Sequence, residues 1–271
     1  MIARAPATSA NLGPGFDCAA VALDLWNEVE VTDGDGVLVD GEGANELPAD
    51  NTNLAVRAYA LLASPEGKRF RFFNRIPLER GLGSSAAAIA LGLAAASDGS
   101  RSEDQLLALG LQLENHADNL GAALVGGVCV TSGETITRIA TSLPLHPVAV
   151  IPGTRVVTTT ARAALPADIP HGDAAFTAAR ALLLGAGLGG GNAEWFSAGL
   201  ADKLHEPYRP SPLLDEIRAD PPPGSRGATL SGSGPTVLVW TDDAEACAAT
   251  LARRYPAHRV LEVAIAERGA L

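Results

Sequence analysis

The sequence predicts an α+β chain of two units, and three observations carry the prediction. Strand-type alternation fills most of the first 76 residues, alanine- and leucine-rich helical runs follow, and the apolar pattern restarts after a proline-marked connection near residue 145. With 271 residues, 47% of them apolar, the chain can bury one large or two moderate cores.

Taken in order, residues 26–31 alternate in polarity, while 37–39 and 70–73 are short apolar or aromatic runs; each predicts a strand. Asn51 or Thr52 can cap a helix whose Leu54, Ala58, Leu61 and Leu62 share a face. A second helix is expected from Ser84 to about Ala96. A third begins at Ser102, with Glu103 and Asp104 in its first turn, and buries Leu106, Leu109 and Leu113. Residues 125–131 and 135–139 read as a hairpin around Ser132-Gly133-Glu134. After Pro144 and Pro147 a strand at 148–151 opens the second unit, which divides the chain into 1–145 and 146–271. Helices at 173–187, 193–205 and 211–218, strands at 228–230 and 237–240, a helix at 243–254 and a strand at 259–265 follow. Strand-helix-strand-strand-helix-strand is the order of a ferredoxin-like split βαβ unit.

Composition excludes several functions. The 20 basic and 31 acidic residues leave a net charge of −11, which opposes non-specific attraction to nucleic acid or anionic lipid. Cys18, Cys129 and Cys247 are odd in number and far apart, so they read as buried free thiols of a reducing compartment. No basic-then-apolar leader opens the chain, and its apolar stretches are too short or too rich in Ala and Gly to span about 30 Å of hydrocarbon. A cytoplasmic protein is therefore expected. Lysine occurs only at Lys68 and Lys203, neither directly behind a glycine run, which excludes a Walker A loop.

The strongest local signal is PLERGLGSSAAAIALG, residues 77–92, in which a strand ending at Ile76 enters a glycine loop and then an unbroken helical run. Gly81 and Gly83 permit positive φ and close approach of a ligand to the main chain. Ser84 and Ser85 open the helix, where unpaired N–H groups and the positive end of the macrodipole favour phosphate. Backbone amides and a dipole can hold a triphosphate without lysine when magnesium supplies the cationic charge. Alone, this turn is equally well an ordinary loop before a capped helix. Its partners are PATSANLGPGFD, residues 6–17, and GATLSGSGPTVL, residues 227–238. Three separated glycine loops suggest parts of one site that folding assembles.

In that order along the chain, the three segments resemble the three motifs of the GHMP superfamily, whose members include galactokinase, homoserine kinase, mevalonate kinase and phosphomevalonate kinase. The resemblance extends over almost the whole chain, and PATSANLGPGFD is most similar to the homoserine kinase form. It implies a ribosomal-protein-S5-domain-2-like, ATP-binding N-terminal domain, a ferredoxin-like C-terminal domain, and a nucleotide in the cleft between them. It also implies ATP as co-substrate, Mg2+, L-homoserine as the phosphoryl acceptor, a product belonging to threonine biosynthesis, and a homodimer.

Carried over residue by residue, the resemblance puts Pro77, Gly81, Leu82, Gly83, Ser84, Ser85 and Ala86 around the nucleotide. Asn53 falls on the adenine side, though a helix cap explains it as well. In ENHADNLGAALVGG, residues 114–127, Glu114 corresponds to a magnesium-ligating glutamate, with Ser85 completing the protein's share of that coordination. His116 and Asn119 would face the substrate, Asn119 near the reacting hydroxyl. The chain departs from the family's usual glycine and two prolines at Asn115, Ala117 and Ala122, so the backbone of this segment is expected to differ. Asn11 and Asp17 match a substrate-binding pair, with Asp17 suited to the ammonium group or the hydroxyl, and Gly232 joins them from the third motif.

Homoserine is a zwitterion, and arginine suits its carboxylate because a planar fork can bond both oxygens. Arg162 in VVTTTARAALP, residues 156–166, and Arg209 in DKLHEPYRPSPLL, residues 202–214, would form that clamp by resemblance. Thr158 would stabilise the transferring group. The implied reaction is in-line attack of the hydroxyl on the γ-phosphorus without a strong protein base, because Asn119 cannot accept the proton at neutral pH. Two other readings stay open: a kinase of the same superfamily for shikimate, mevalonate or another small alcohol, and a silent relative that binds without transferring phosphate. Arg162, Arg209 and the Asn11–Asp17 pair favour an amino-acid substrate over the first. Intact Ser85, Glu114 and three glycine loops count against the second.

Overall fold

The computed structural model describes residues 1–156 and 158–271; Val157, inside the segment 156–166, lies outside the described residues. The chain opens with β1 (Ile2–Asn11), which turns through Leu12-Gly13-Pro14 into the long antiparallel β2 (Gly15–Asp33). β3 (Gly36–Gly41), β4 (Lys68–Asn74), β5 (Val128–Ser132) and β6 (Thr135–Ala140) complete a six-stranded sheet in the order β3-β4-β2-β5-β6, with β1 on β2. Only β3 and β4 are parallel neighbours. The expected strands at 26–31, 37–39 and 70–73 all lie inside these elements.

Helices α1 (Leu54–Ala60), α2 (Ser84–Ala96), α3 (Glu103–Gly110) and α4 (Ala117–Val125) gather on this sheet, with α2 and α4 packed on β1 and β2. The caps explain most of the boundaries. Asn53, rather than Asn51 or Thr52, caps α1, because its side-chain oxygen accepts from the Ala55 amide at 3.0 Å. Ser102 and Gln105 form a reciprocal capping box on α3. That helix is shorter than expected and fully buries Leu106 and Leu107, while Leu109 and Leu113 are half-buried.

The largest departure is α4. No separate helix was expected between the third helix and a strand starting at residue 125, but residues 117–125 coil into a helix almost wholly inside the protein, and the strand starts at Val128. A helix buried on every side shows no polar face, so periodicity cannot separate it from a buried strand. Gly121 lets it lie on β5, since a Cβ there would stand 2.7 Å from the Thr131 methyl group. Ala117 opens α4, the position where proline is tolerated, so this departure from the family pattern needs no different backbone.

The second sheet is antiparallel, in the order β10-β7-β9-β8, built from β7 (His146–Ile151), β8 (Ser225–Leu230), β9 (Val237–Thr241) and β10 (Arg259–Glu262). With its intervening helices this is the split βαβ order. Alternation along β7 and β9 sorts two cores. Val148, Val150, Val237 and Val239 face α8 (Pro212–Ala219) and α9 (Ala244–Arg254). Ala149, Ile151, Leu238 and Trp240 face the other way, onto α6 (His171–Gly190) and α7 (Ala193–Gly199), in a cluster continuous with the core of the first sheet.

Three further boundaries differ from expectation. The helix predicted over 193–205 stops at Gly199, because the Asp202 carboxylate accepts the amides of Leu204, His205 and Glu206 and turns the chain. β10 ends at Glu262, and Ile265 instead bridges to Leu23 of the first sheet. Between the strand at 148–151 and the helix from 173 no element was expected, yet α5 (Thr158–Ala163) forms there around Arg162, a helix with no buried residue.

Candidate active site

The three glycine loops touch one another. The Thr8 amide of β1 donates to the Leu82 carbonyl, and the Gly232 amide donates to the Ala10 carbonyl. Ser231 reaches both neighbours at once, with its hydroxyl against the Gly81 carbonyl at 2.6 Å and the Ser9 hydroxyl at 2.8 Å. Gly81 is required at this crossing: its φ is +76°, and a Cβ would fall on the Ser231 carbonyl. Backbone strain concentrates nearby, with Asn11 at φ 74°, Leu12 at 48° and Asp17 at 56°.

Gly83, left-handed at φ 64°, starts α2 with no side chain capping the helix, so its first amides remain open at the positive end of the dipole. Two cavities meet there. One, of about 410 Å³, is lined by apolar groups such as Leu47, Pro48, Leu54 and Leu78, by Asn53, and by Ser84 and Ser85. The other, of about 140 Å³, is polar, and again includes Ser84 and Ser85. Asn11, Asp17, Gly81, Gly83, Ala86, Glu114, His116, Asn119, Thr158, Arg162, Arg209 and Gly232 surround it. Of the residues chosen from sequence, Pro77 and Leu82 stand off this cavity: Pro77 lines a separate pocket with Arg80, and Leu82 is buried in the core. Asn53 lines the apolar cavity while also capping α1.

Within the polar cavity the side chains restrain one another. Ser85 donates its hydroxyl to Glu114, whose other oxygen meets His116 Nδ1 at 2.5 Å. The Glu114 hydrogen bond raises the affinity of His116 for its proton above the usual imidazole value, against its partial burial. Asn119 accepts from the Thr8 hydroxyl at 2.7 Å, and its amide and side-chain N–H groups donate to Asp118. Burial pushes the Asp118 carboxyl above the ordinary aspartate range. Asn11 donates to the Gly232 carbonyl at 2.9 Å and accepts from the Asp17 amide, which sets the side chain of Asp17 toward α5. There Arg162 grips Asp17 through two bonds of 2.7 Å. Arg209 is buried, donates to the Gly232 carbonyl, and has an Nε without a partner among the described residues.

The chain as a whole resembles known proteins. The GHMP kinases N terminal domain matches residues 53–127. A homoserine kinase of Gloeobacter violaceus is 42% identical, with 94% of this chain and 93% of that protein covered. One from Streptomyces avermitilis is 40% identical over 90% of this chain and 86% of its own length. The chain belongs to the homoserine kinase family of the GHMP kinases. A crystal structure of homoserine kinase from Cytophaga hutchinsonii superposes with a TM-score of 0.84 at 25% identity, covering 99% of this chain and 96% of that one. The two-sheet α+β fold is thus the fold of this family.

Three side chains that support this cavity escaped the reading of the sequence. Thr8 anchors Asn119, and Phe16 and His205 stand behind the two arginines. Thr8 and Phe16 lie inside the first motif and His205 inside the segment chosen for Arg209, so proximity in sequence was the available signal.

Proposed function

We propose that the protein transfers the γ-phosphoryl group of ATP to the side-chain hydroxyl of L-homoserine, giving O-phospho-L-homoserine and ADP, the step that feeds threonine biosynthesis. The observation that carries this reading is the charge layout of the polar cavity beside the open helix end: the Asp17 carboxylate faces the guanidiniums of Arg162 and Arg209. A zwitterionic amino acid fits it, with its ammonium toward Asp17 and its carboxylate toward the arginines. The nucleoside belongs in the apolar cavity beside Asn53, and the triphosphate at Gly81, Gly83, Ser84, Ser85 and Ala86, where α2 presents its free amides.

The Ser85 hydroxyl and the Glu114 carboxylate converge at this helix end, and two hard oxygen donors fit Mg2+. No group of three or more His, Cys, Asp or Glu side chains able to hold a metal occurs among the described residues, which suits an ion that arrives with phosphate oxygens as its remaining ligands. When bound, such an ion neutralises charge on the phosphates. The remaining work falls to the chain. Asn119, fixed between Thr8 and Asp118, orients the acceptor hydroxyl, with His116 beside it, and Thr158 hydrogen-bonds the transferring group. Positioning and electrostatics suffice for a loose transition state, so transfer proceeds without a strong protein base.

The homodimer rests on family resemblance, and light scattering tests it. A cytoplasmic location agrees with three free cysteines, and no described helix is long and apolar enough to cross a membrane. The division at residue 145 falls between the strands of the two sheets. The deciding experiment measures ADP release with Mg-ATP and homoserine, serine, threonine, shikimate or mevalonate. Phosphohomoserine formed in preference to the other products supports the reading. Turnover confined to another alcohol would keep the kinase and overturn the acceptor, while silence with every alcohol would favour a non-catalytic relative. Asn119→Ala should reduce turnover through a misplaced hydroxyl, and an unaffected rate would remove Asn119 from its role.

A further inference from the structure

His205 is fully buried and lies behind the substrate cavity, outside its lining. Its Nε2 stands 2.8 Å from the Gly13 carbonyl, and its Nδ1 stands 3.2 Å from an N–H-bearing nitrogen of Arg209. Its ring stacks on Phe16 at 5.2 Å, and Phe16 in turn lies beneath the guanidiniums of Arg209 and Arg162 at 5.3 and 5.8 Å.

The two hydrogen-bond partners leave one protonation state. A carbonyl only accepts and a guanidinium only donates, so Nε2 must carry the proton and Nδ1 must keep its lone pair. The opposite tautomer would lose both bonds. An imidazolium would retain the Gly13 bond but turn an N–H toward the cationic Arg209. The charged groups around the ring are Asp202, Glu206 and Arg209, with Asp202 Oδ2 3.6 Å from Nε2. Asp202 favours a proton, but its carboxylate already accepts three backbone amides, and burial works in the opposite direction and prevails.

We propose that His205, held as the neutral Nε2–H tautomer, is a positioning residue that couples Arg209 to the Gly13 turn and thereby fixes the carboxylate-binding guanidinium relative to Asn11 and Asp17. Gly13 follows two residues after Asn11, and the Gly232 carbonyl accepts from both Asn11 and Arg209, so one strut ties two loops into a single binding surface. The inference rests on the homoserine reading for the identity of the ligand, and on the geometry alone for the tautomer.

The experiment compares His205→Gln with His205→Asn. Gln can reach the Gly13 carbonyl from the Nε2 position but leaves Arg209 without its acceptor; Asn places an acceptor near Nδ1. His205→Gln should raise the KM for homoserine about tenfold or more, the worth of a hydrogen bond to a charged group, with the KM for ATP changed much less. His205→Asn keeps that acceptor but gives up the tie to Gly13, so it should raise the same KM as well, though by less. A homoserine KM unchanged in both variants, or parallel rises in both KM values, would make His205 a structural residue only. Nitrogen-15 chemical shifts of the imidazole in the unmutated protein decide the tautomer even if the variants fold poorly. A protonated Nε2 with unprotonated Nδ1 at pH 7.5 is expected, and a protonated Nδ1 would overturn the proposal. Because that readout needs no substrate, it stands apart from any failure of the homoserine reading.

Discussion

The guanidinium of Arg162 and the carboxylate of Asp17, 145 positions apart in the chain, face each other through two parallel N–H···O bonds of 2.7 Å. Both side chains are partly exposed, at 45% and 40%, so water screens the pair and its worth to the fold is about 0–1 kcal/mol. The helix that carries Arg162 buries nothing. An ion pair that stabilises so little, at the mouth of a polar cavity, is better explained by a ligand that separates its charges.

Arg162→Ala should therefore divide function from stability. The unfolding free energy should fall by no more than about 1 kcal/mol, because only a screened pair is removed. The kcat/KM for homoserine should fall by about 100-fold, as expected when a charge-assisted carboxylate contact is lost. Denaturant unfolding and steady-state kinetics on the same preparation check both. A large loss of stability with little loss of kcat/KM would reverse the argument and make the pair a structural clasp.

Glycine substitutions separate backbone strain from crowding. Gly83 and Gly99 both have positive φ, 64° and 78°, but a Cβ on Gly99 would meet nothing, whereas one on Gly83 would fall on the Thr8 hydroxyl and stand 3.1 Å from Asn119 Oδ1. Gly99→Ala should cost about 1–2 kcal/mol, the left-handed penalty alone, and leave turnover intact. Gly83→Ala adds a broken Thr8–Asn119 contact and a displaced start of α2, so phosphoryl transfer should fall by at least about 100-fold. Parallel urea titrations and rate measurements test the contrast; matched effects of the two substitutions would refute it.

The sequence showed the site more readily than the packing that supports it. Backbone-built features were legible because glycine, proline and capping residues signal geometry locally: α2 begins at Ser84 as expected, and the split βαβ order follows from short strands and capped helices. Helix α4 was not legible, since burial on all sides removed the polar stripe that would have revealed its period. Nor was the end of α7, where a single buried carboxylate, Asp202, outweighs helical propensity by taking three amides. Arg162 and Arg209 emerged from motif resemblance, but His205 did not, because its role depends on what lies at its two nitrogens in space.

Thiol chemistry gives a simple check on the core. Burial pushes the Cys129 thiol up to about 12 and the Cys247 thiol up to about 11. Cys18, half-buried, is also raised, by burial and then by Asp118 and Asp17. At pH 8 none of the three offers much thiolate, and the thiolate is the nucleophile. The native protein should react slowly with an aromatic disulfide reagent and release three equivalents only after unfolding in guanidinium. Rapid reaction of Cys129 in the native state would contradict its burial.

Acid should weaken the fold through His205. Burial lowers the affinity of this imidazole for its proton below that of an unfolded histidine, which titrates near about 6.5. Below that pH the unfolded chain binds a proton that folded His205 refuses, so its contribution to stability is full above about 6.5 and declines as pH falls through the lowered folded value. His205→Asn has no such proton to bind, while carboxylate titrations common to both proteins cancel in the difference. Urea unfolding from about pH 4.5 to 8.5 should show a stability advantage of the parent over His205→Asn that is constant above about pH 6.5 and shrinks toward acid. An advantage that grew toward acid would mean an imidazolium in the folded state, paired with Asp202, and would place a positive charge against Arg209.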